Sequence, residues 1–324
     1  MDTSRFKRVC AFVATLLWGG ACYAQGSYPV KPVRIVVPSA SGGGTDILAR
    51  VLAQKIGEAF GQQFIVDNRP GAGQMIGIDA VARAPADGYT ILMAASTLAL
   101  NPLMFAKVPY DAERDFAPIT LVATLSNVLT VHPSVPARNV QDLLTLARAQ
   151  PGRLTYSSAG IGTSPHMSVE LFKSMANIDM VHVPYKGTGP AMIDLVAGQV
   201  SLTMGNVITA LPQIKAGRVR ALAVTGPKRT SALPDVPTIA EAGLRGYESV
   251  QWYGMLAPAL TPREIIARLN AEMVRALGTA EVRERLALDG ADAVGGTPEA
   301  FAAHIRAEIE KWSRVAKAAG IRPQ

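Results

Sequence analysis

The feature that most restricts the fold of this chain is an alternation of short apolar runs with amphipathic stretches, which begins twice. Val33-Arg34-Ile35-Val36-Val37 is nearly continuous in apolar residues and ends at Pro38, the pattern of a buried parallel strand. Residues 45–60 follow with Ile47, Leu48, Val51, Leu52 and Ile56 on one helical stripe, and Gly61 stops it. Residues 64–66 read as a strand, 72–84 as a helix and 90–94 as a strand. Strands joined through helices imply right-handed crossovers and a parallel sheet covered on both faces.

The pattern then restarts. Strands are expected at 128–131, 154–156, 180–183, 201–204 and 222–225, and helices at 139–149, 164–175 and 190–197. Residues 261–317 read as mostly helix. Thr261-Pro262 and Thr297-Pro298 each place a capping hydroxyl before a helix-starting proline. Two α/β units and a helical tail imply a split first lobe, 25–124 plus 228–324, around a second lobe, 125–227. The chain would cross near 121–129 and return near 225–234, where Gly226, Pro227, Pro234 and Pro237 mark a connection. Two crossings make a hinge, and the cleft between two such lobes is a usual ligand site.

The first 24 residues read as a secretory signal peptide. Arg5, Lys7 and Arg8 precede an apolar run over 9–20, which is too short for a bilayer core of roughly 30 Å. Cys22-Tyr23-Ala24 offers a cut after Ala24. The alternatives are a membrane anchor and a lipid-modified Cys22, the latter lacking the expected preceding Leu. Cys10 and Cys22 leave with the signal, so the mature chain holds no disulfide and no thiolate metal site. It must be stable through its cores alone, which the 49% hydrophobic content supports. The net charge of +7 includes +2 from the signal, and the remaining basic residues are scattered among acids. Without a basic block interleaved with aromatics, nucleic acid is not an expected partner. The mild positive balance is compatible with an anionic small solute.

Several loops at strand ends could carry chemistry. Ser39-Ala40-Ser41-Gly42-Gly43-Gly44-Thr45-Asp46 lies between a strand and a helix. Its glycines permit close backbone approach and positive φ, and the following helix aims free N–H groups and a positive dipole end at the same place. The alternative is a tight turn capped by Thr45 or Asp46. Ser158-Ala159-Gly160-Ile161-Gly162-Thr163-Ser164 occupies the equivalent place in the second unit. Ser96-Thr97, Tyr185-Lys186-Gly187 and Asn206 end further strands. No convergent acid, base and nucleophile set appears. His166 stands where a nucleophile elbow needs Gly. His132, His166, His182 and His304 show no metal-ligand spacing, so neither a metal nor a cofactor is expected. His132 and His182 read as core or edge residues, and His166 as a cleft residue or a helix-start hydrogen-bond partner.

Taken together, Pro32 to Pro38, Gly42-Gly43-Gly44-Thr45-Asp46, Val66-Asp67-Asn68-Arg69-Pro70-Gly71-Ala72-Gly73 and Ala86-Asp87-Gly88-Tyr89-Thr90 resemble the Bug family. So do Ser158-Ala159-Gly160, Val183-Pro184-Tyr185-Lys186-Gly187 and Leu233-Pro234-Asp235-Val236-Pro237-Thr238. Bug proteins are extracytoplasmic solute receptors of tripartite tricarboxylate transporters. The resemblance implies the two-lobed periplasmic binding protein type II fold, α/β in each lobe, with two hinge crossings. It implies a monomeric periplasmic receptor that holds a small carboxylate between the loops 40–46 and 158–164, partly through water. Asp46 would hold its loop rather than touch the ligand, because its charge repels a carboxylate. The partners implied are the integral membrane subunits of the transporter. The resemblance has two departures: Ser39 stands where relatives often carry Phe or Tyr, and Met204-Gly205-Asn206 where many carry an acid. Other readings are an exported α/β enzyme acting on a small acid, or an orphan receptor that signals through a partner protein.

Overall fold

Strand β1 (Val33–Val37) is buried at four of its five positions, as its run of valine and isoleucine demands. A computed structural model describes residues 28–288, 290–318, 320, 321 and 323. The expected signal peptide, with Cys10, Cys22 and the cut after Ala24, lies outside the described residues. Helix α1 (Gly44–Phe60) follows β1, buries Leu48, Leu52 and Ile56, and stops at Gly61. There the left-handed φ of 63°, which costs glycine little, lets the Gly61 amide bond the Gly57 carbonyl. β2 (Phe64–Asn68), α2 (Met75–Ala82) and β3 (Thr90–Ala95) complete the first alternation, and β2 and β3 both pair with β1 in parallel.

The expected helix over 72–84 is shorter. Ala72, Gly73 and Gln74 have φ of 46°, 62° and 75°, a left-handed turn that delays α2 to Met75. Helix α3 (Thr97–Met104) was not expected, and it occupies the segment read as a loop at Thr97.

Strand β4 (Phe116–Val131) is the spine of the sheet. It is followed by α4 (Val140–Ala149), β5 (Thr155–Ser158), α5 (Ser164–Ala176), β6 (Val181–Pro184), α6 (Thr188–Val196), β7 (Leu202–Asn206), α7 (Val207–Lys215) and β8 (Arg220–Val224). β5 pairs in parallel with β6 and β7, as the second alternation implies. Strand β9 (Val250–Pro258), also unexpected, lies between β3 and β4 and is antiparallel to both. The order among the described residues is β2-β1-β3-β9-β4-β7-β5-β6. The expectation of purely parallel sheets is therefore corrected. Residues 116–126 of β4 pair with β9, and residues 127–131 pair with β7 and β8, all antiparallel. The expected crossing at 121–129 is the middle of one strand shared by both parts of the sheet.

The tail comprises α8 (Arg263–Gly278), α9 (Ala280–Leu288), β10 (Ala291–Ala293) and α10 (Pro298–Ala318). Thr297 caps as expected, accepting from the Ala300 amide at 3.2 Å. Thr261 does not: its hydroxyl donates back to the Pro258 carbonyl at 2.8 Å, and Pro262 takes the cap position. One apolar cluster packs Leu92, Trp252, Leu256 and Phe301 under the first part of the sheet. Another packs Leu129, Tyr156, Phe172 and Tyr247 under the second. Gly254 admits the Phe301 ring, whose nearest atom would lie 2.0 Å from an added Cβ. A third cluster joins Met104 of α3, Met167 of α5 and Trp312 of α10.

Candidate binding site

Five helices begin around one cleft of about 940 Å³. They are α1, α3, α5, α6 and α7, and residues 43–45, 96–97, 163–165, 187–188 and 206 at their starts line it. None of the five has a side-chain hydrogen bond at its cap. First-turn amides lack intrahelical acceptors, and the dipole end there is positive. Among the described residues lining the cleft, Lys186 is the only charged one. The arrangement suits an anion.

Ser39, Ala40, Ser41, Gly43, Gly44, Thr45, Ser96, Thr97, Ala159, Gly160, Thr163, Ser164, Tyr185, Lys186, Gly187 and Asn206 all line this cleft. Asp46, Ser158 and Gly162 do not, and each sits behind it for a visible reason. Asp46 is the third residue of α1 and reaches back to the Gly42 amide at 2.9 Å, so neither it nor Thr45 is the cap; Gly43 is. Asp46 also accepts from Asn68 Nδ2 at 3.0 Å and pairs with Arg50 at 3.0 Å. Burial pushes its carboxyl up, but the bonds from Arg50, Gly42 and Asn68 outweigh this and hold it below the ordinary carboxylate value. Of the three glycines, Gly42 alone has positive φ, 81°, while Gly43 is extended at −83°. Gly44 is there for space: an added Cβ would lie 2.7 Å from the Tyr253 hydroxyl.

The second loop is held differently. Ser158 Oγ meets His182 Nε2 at 2.6 Å and accepts from the Gly160 amide at 3.1 Å. The Gly162 amide donates to His166 Nδ1 at 3.3 Å, so His166 is the helix-start partner and not a cleft residue. Gly162 packs on α3, where Met104 Cγ would lie 3.0 Å from an added Cβ. The His166 and His182 rings stack at 4.2 Å, and Tyr156 stacks on His182 at 4.7 Å. Burial drives His166 down to about 4; Glu170 opposes this and Lys173 adds to it. Burial, then His166 and Lys173, take His182 down to about 3.

Other expected contacts are partly engaged within the protein. Thr97 Oγ1 donates to Gln74 Oε1, and the Tyr185 hydroxyl donates to Asp194 Oδ2 at 2.6 Å. Burial, with Asp194 adding to it, pushes the Tyr185 phenol up to about 12. Ser96 Oγ accepts from the Trp252 amide at 3.0 Å. Ser164 Oγ accepts from Asn127 Nδ2 at 2.9 Å. Cleft residues that sequence reasoning missed include residues 70–75, Phe105, Gln251 and Tyr253. The turn Pro70-Gly71-Ala72-Gly73 carried a signal, as a glycine-rich break before a helix. Gln251 and Tyr253 carried none, since the pairing of β9 with β3 and β4 brings them here.

A mixed α/β sheet whose strand-end loops and helix starts enclose a small cleft defines the fold of the periplasmic binding proteins. Residues 48–321 match the family described as "Tripartite tricarboxylate transporter family receptor", and the chain belongs to that family. It is 35% identical to protein BugT of Bordetella pertussis over 322 residues, 99% of each chain, in keeping with the Bug resemblance. A structure titled "R. palustris Rpa4515 with adipate" superposes with a TM-score of 0.89 at 41% identity, covering 92% of this chain and all of that one. MatC of Rhodopseudomonas palustris, solved with bound malate, gives 0.83 at 33% identity, covering 89% of this chain and all of that one. The family is one of solute-binding receptors, so the protein is a receptor and not an enzyme.

Proposed function

We propose that the protein is a periplasmic receptor that captures a small carboxylate and delivers it to the membrane subunits of a tripartite tricarboxylate transporter. The observation that carries this reading is the convergence of five uncapped helix starts on a cleft whose one charged lining residue, among the described residues, is Lys186. A carboxylate there takes hydrogen bonds worth roughly 1.5–3 kcal/mol each. A few of these, less the costs of ordering, reach the ~8 kcal/mol of a micromolar complex. The adipate and malate seen in the two related structures support the same chemistry.

In this reading the chain is exported by cleavage after Ala24 and acts as a monomer. The lobes 25–124 plus 228–324 and 125–227 close by rotation at β4 and at the return near 225–234. The ligand carboxylate lies between the starts of α1 and α5. A thermal-shift screen over mono-, di- and tricarboxylates tests the proposal. A ligand at a hundred times its Kd adds about 2.7 kcal/mol, a shift of several degrees. A protein that melts at one temperature with every acid, at millimolar concentration, is not this receptor.

A further inference from the structure

Two carbonyl oxygens in the wall of the cleft have no hydrogen-bond partner. They are Asn206 Oδ1 and Gln251 Oε1, on residues that line the cleft and are 3% and 7% exposed. The amide nitrogens of the same side chains are both engaged with one phenol. Asn206 Nδ2 donates to the Tyr253 hydroxyl oxygen at 3.1 Å, and Gln251 Nε2 donates to it at 3.0 Å. Thr45 hydrogen-bonds the same phenol. A phenol oxygen has two lone pairs and one proton. The two amide N–H groups fill both of those lone pairs. The amide nitrogens are thus spent on Tyr253, and the two carbonyl oxygens are left as acceptors in the cleft wall. Gly44 makes this possible, since a Cβ there would press on the Tyr253 hydroxyl.

A buried carbonyl left unpaired is costly, so the two oxygens call for a donor that arrives with the ligand. An ammonium does not suit. It would be buried in a cleft whose charged lining residue is the cation Lys186 and whose helix ends are positive. A neutral donor carries no such penalty. We propose that Asn206 and Gln251 read a hydroxyl group on the ligand, beside its carboxylate, so that the solute class is hydroxylated carboxylic acids. This rests on the carboxylate reading of the cleft.

Calorimetry on the mature protein with matched acids tests it: succinate against malate, glutarate against 2-hydroxyglutarate, and adipate against 2-hydroxyadipate. In the pair that binds tightest, the hydroxy acid should bind about tenfold more tightly, the worth of one satisfied hydrogen bond. The matching 2-amino acid should bind more weakly than the hydroxy acid. In Gln251→Met and Asn206→Leu the preference should fall to within about threefold, whatever happens to each absolute affinity. A wild-type protein that binds plain and hydroxylated acids equally, or prefers the amino acid, overturns the inference and leaves the carboxylate reading standing. That measurement needs no variant to fold. A preference that survives in both variants removes the hydroxyl from these two residues. If none of these acids binds, the carboxylate reading fails and the inference falls with it.

Discussion

The two glycine-rich loops that face the cleft hold equivalent places in the chain and are built on opposite electrostatic principles. The first, 39–46, is fastened by a permanent charge: Asp46 ties the Gly42 amide, Asn68 and Arg50 together from behind the site. The second, 158–164, is fastened by neutral groups, with Ser158 on His182 and Gly162 on His166. The difference reaches the donors on offer. The second loop uses the Gly160 and Gly162 amides internally, and Pro165 has no N–H to give. In the first loop only the Gly42 amide is spent on a side chain, that of Asp46, and the start of α1 contains no proline. On the proposed carboxylate reading, anion binding therefore rests more on the first loop, while the second shapes the wall. Equal positions in a repeated pattern do not imply equal work.

The sharpest test sets one glycine of each loop against the other. Gly44→Ala should cost about a hundredfold in affinity, because its Cβ meets the Tyr253 hydroxyl at 2.7 Å and overpacking costs roughly 1–3 kcal/mol. Gly160→Ala instead strains a φ of 131° and meets the Tyr185 carbonyl at 3.3 Å. Its cost should appear mainly as a lower Tm, with about tenfold or less in affinity. Calorimetry and melting on both variants decide, and a Gly160→Ala that binds worse than Gly44→Ala would reverse the ranking of the loops.

Asp46→Asn probes the charged fastening. It leaves at least one of the buried donors without its acceptor, at about 1–3 kcal/mol of stability and about tenfold in affinity. Urea denaturation and calorimetry measure the two effects. A silent Asp46→Asn would mean that the loop holds its path without the charge.

The smallest effect on affinity separates the loops by pH. His166 and His182 lie near 4 and 3 in the folded protein, against about 6.5 in the unfolded chain. The unfolded chain binds more protons between these values, so stability is full above pH 6.5 and falls as the pH drops toward 4. Asp46 is depressed, so its contribution persists until the pH falls below about 3.8, the ordinary carboxylate value. Between pH 6.5 and pH 4.5, then, Tm should fall through the second loop and through His304 of α10, which burial also holds down, but not through the first loop, with affinity reduced about threefold. His182→Gln should lessen that slope and Asp46→Asn should not, as melting curves over this range will record.

The local alternation was legible because each strand and helix of the two units follows the last in sequence. Ile47, Leu48, Val51, Leu52 and Ile56 mark α1, and Gly61 marks its end. What was hidden depends on distant contacts. β9 reads as an undirected apolar run, and only its pairing with β3 and β4 brings Gln251 and Tyr253 to the cleft. Helix α3 is buried on nearly all sides, so it shows no amphipathic stripe, and Pro102 lies inside it. α7 likewise contains Pro212. Ala72 favours helix by itself, yet the Asn101 side chain donates to the Gly73 carbonyl at 3.0 Å and Gln74 takes the Thr97 hydroxyl, anchoring the left-handed turn. The loops at strand ends were legible as positions. Their inequality was not, because it lies in Asn68, His182 and Tyr253, which come from elsewhere in the chain, as well as in Arg50, one turn along α1.

β4 carries a mechanical consequence. Its 16 residues, at roughly 3.3 Å each, make a rod of about 50 Å that is hydrogen-bonded to one part of the sheet at its start and to the other at its end. A swivel between the two parts cannot be a free joint there, since the ladder would have to break. It must be a torsion bar, with the twist taken up where the register slips, near Pro118–Thr120, Leu121–Ala123 and Leu129–Thr130. Asn127 sits on this bar and grips both Ser164 at the cleft and Thr225 on the returning segment. A rotation at the cleft would thereby be delivered to both connections at once.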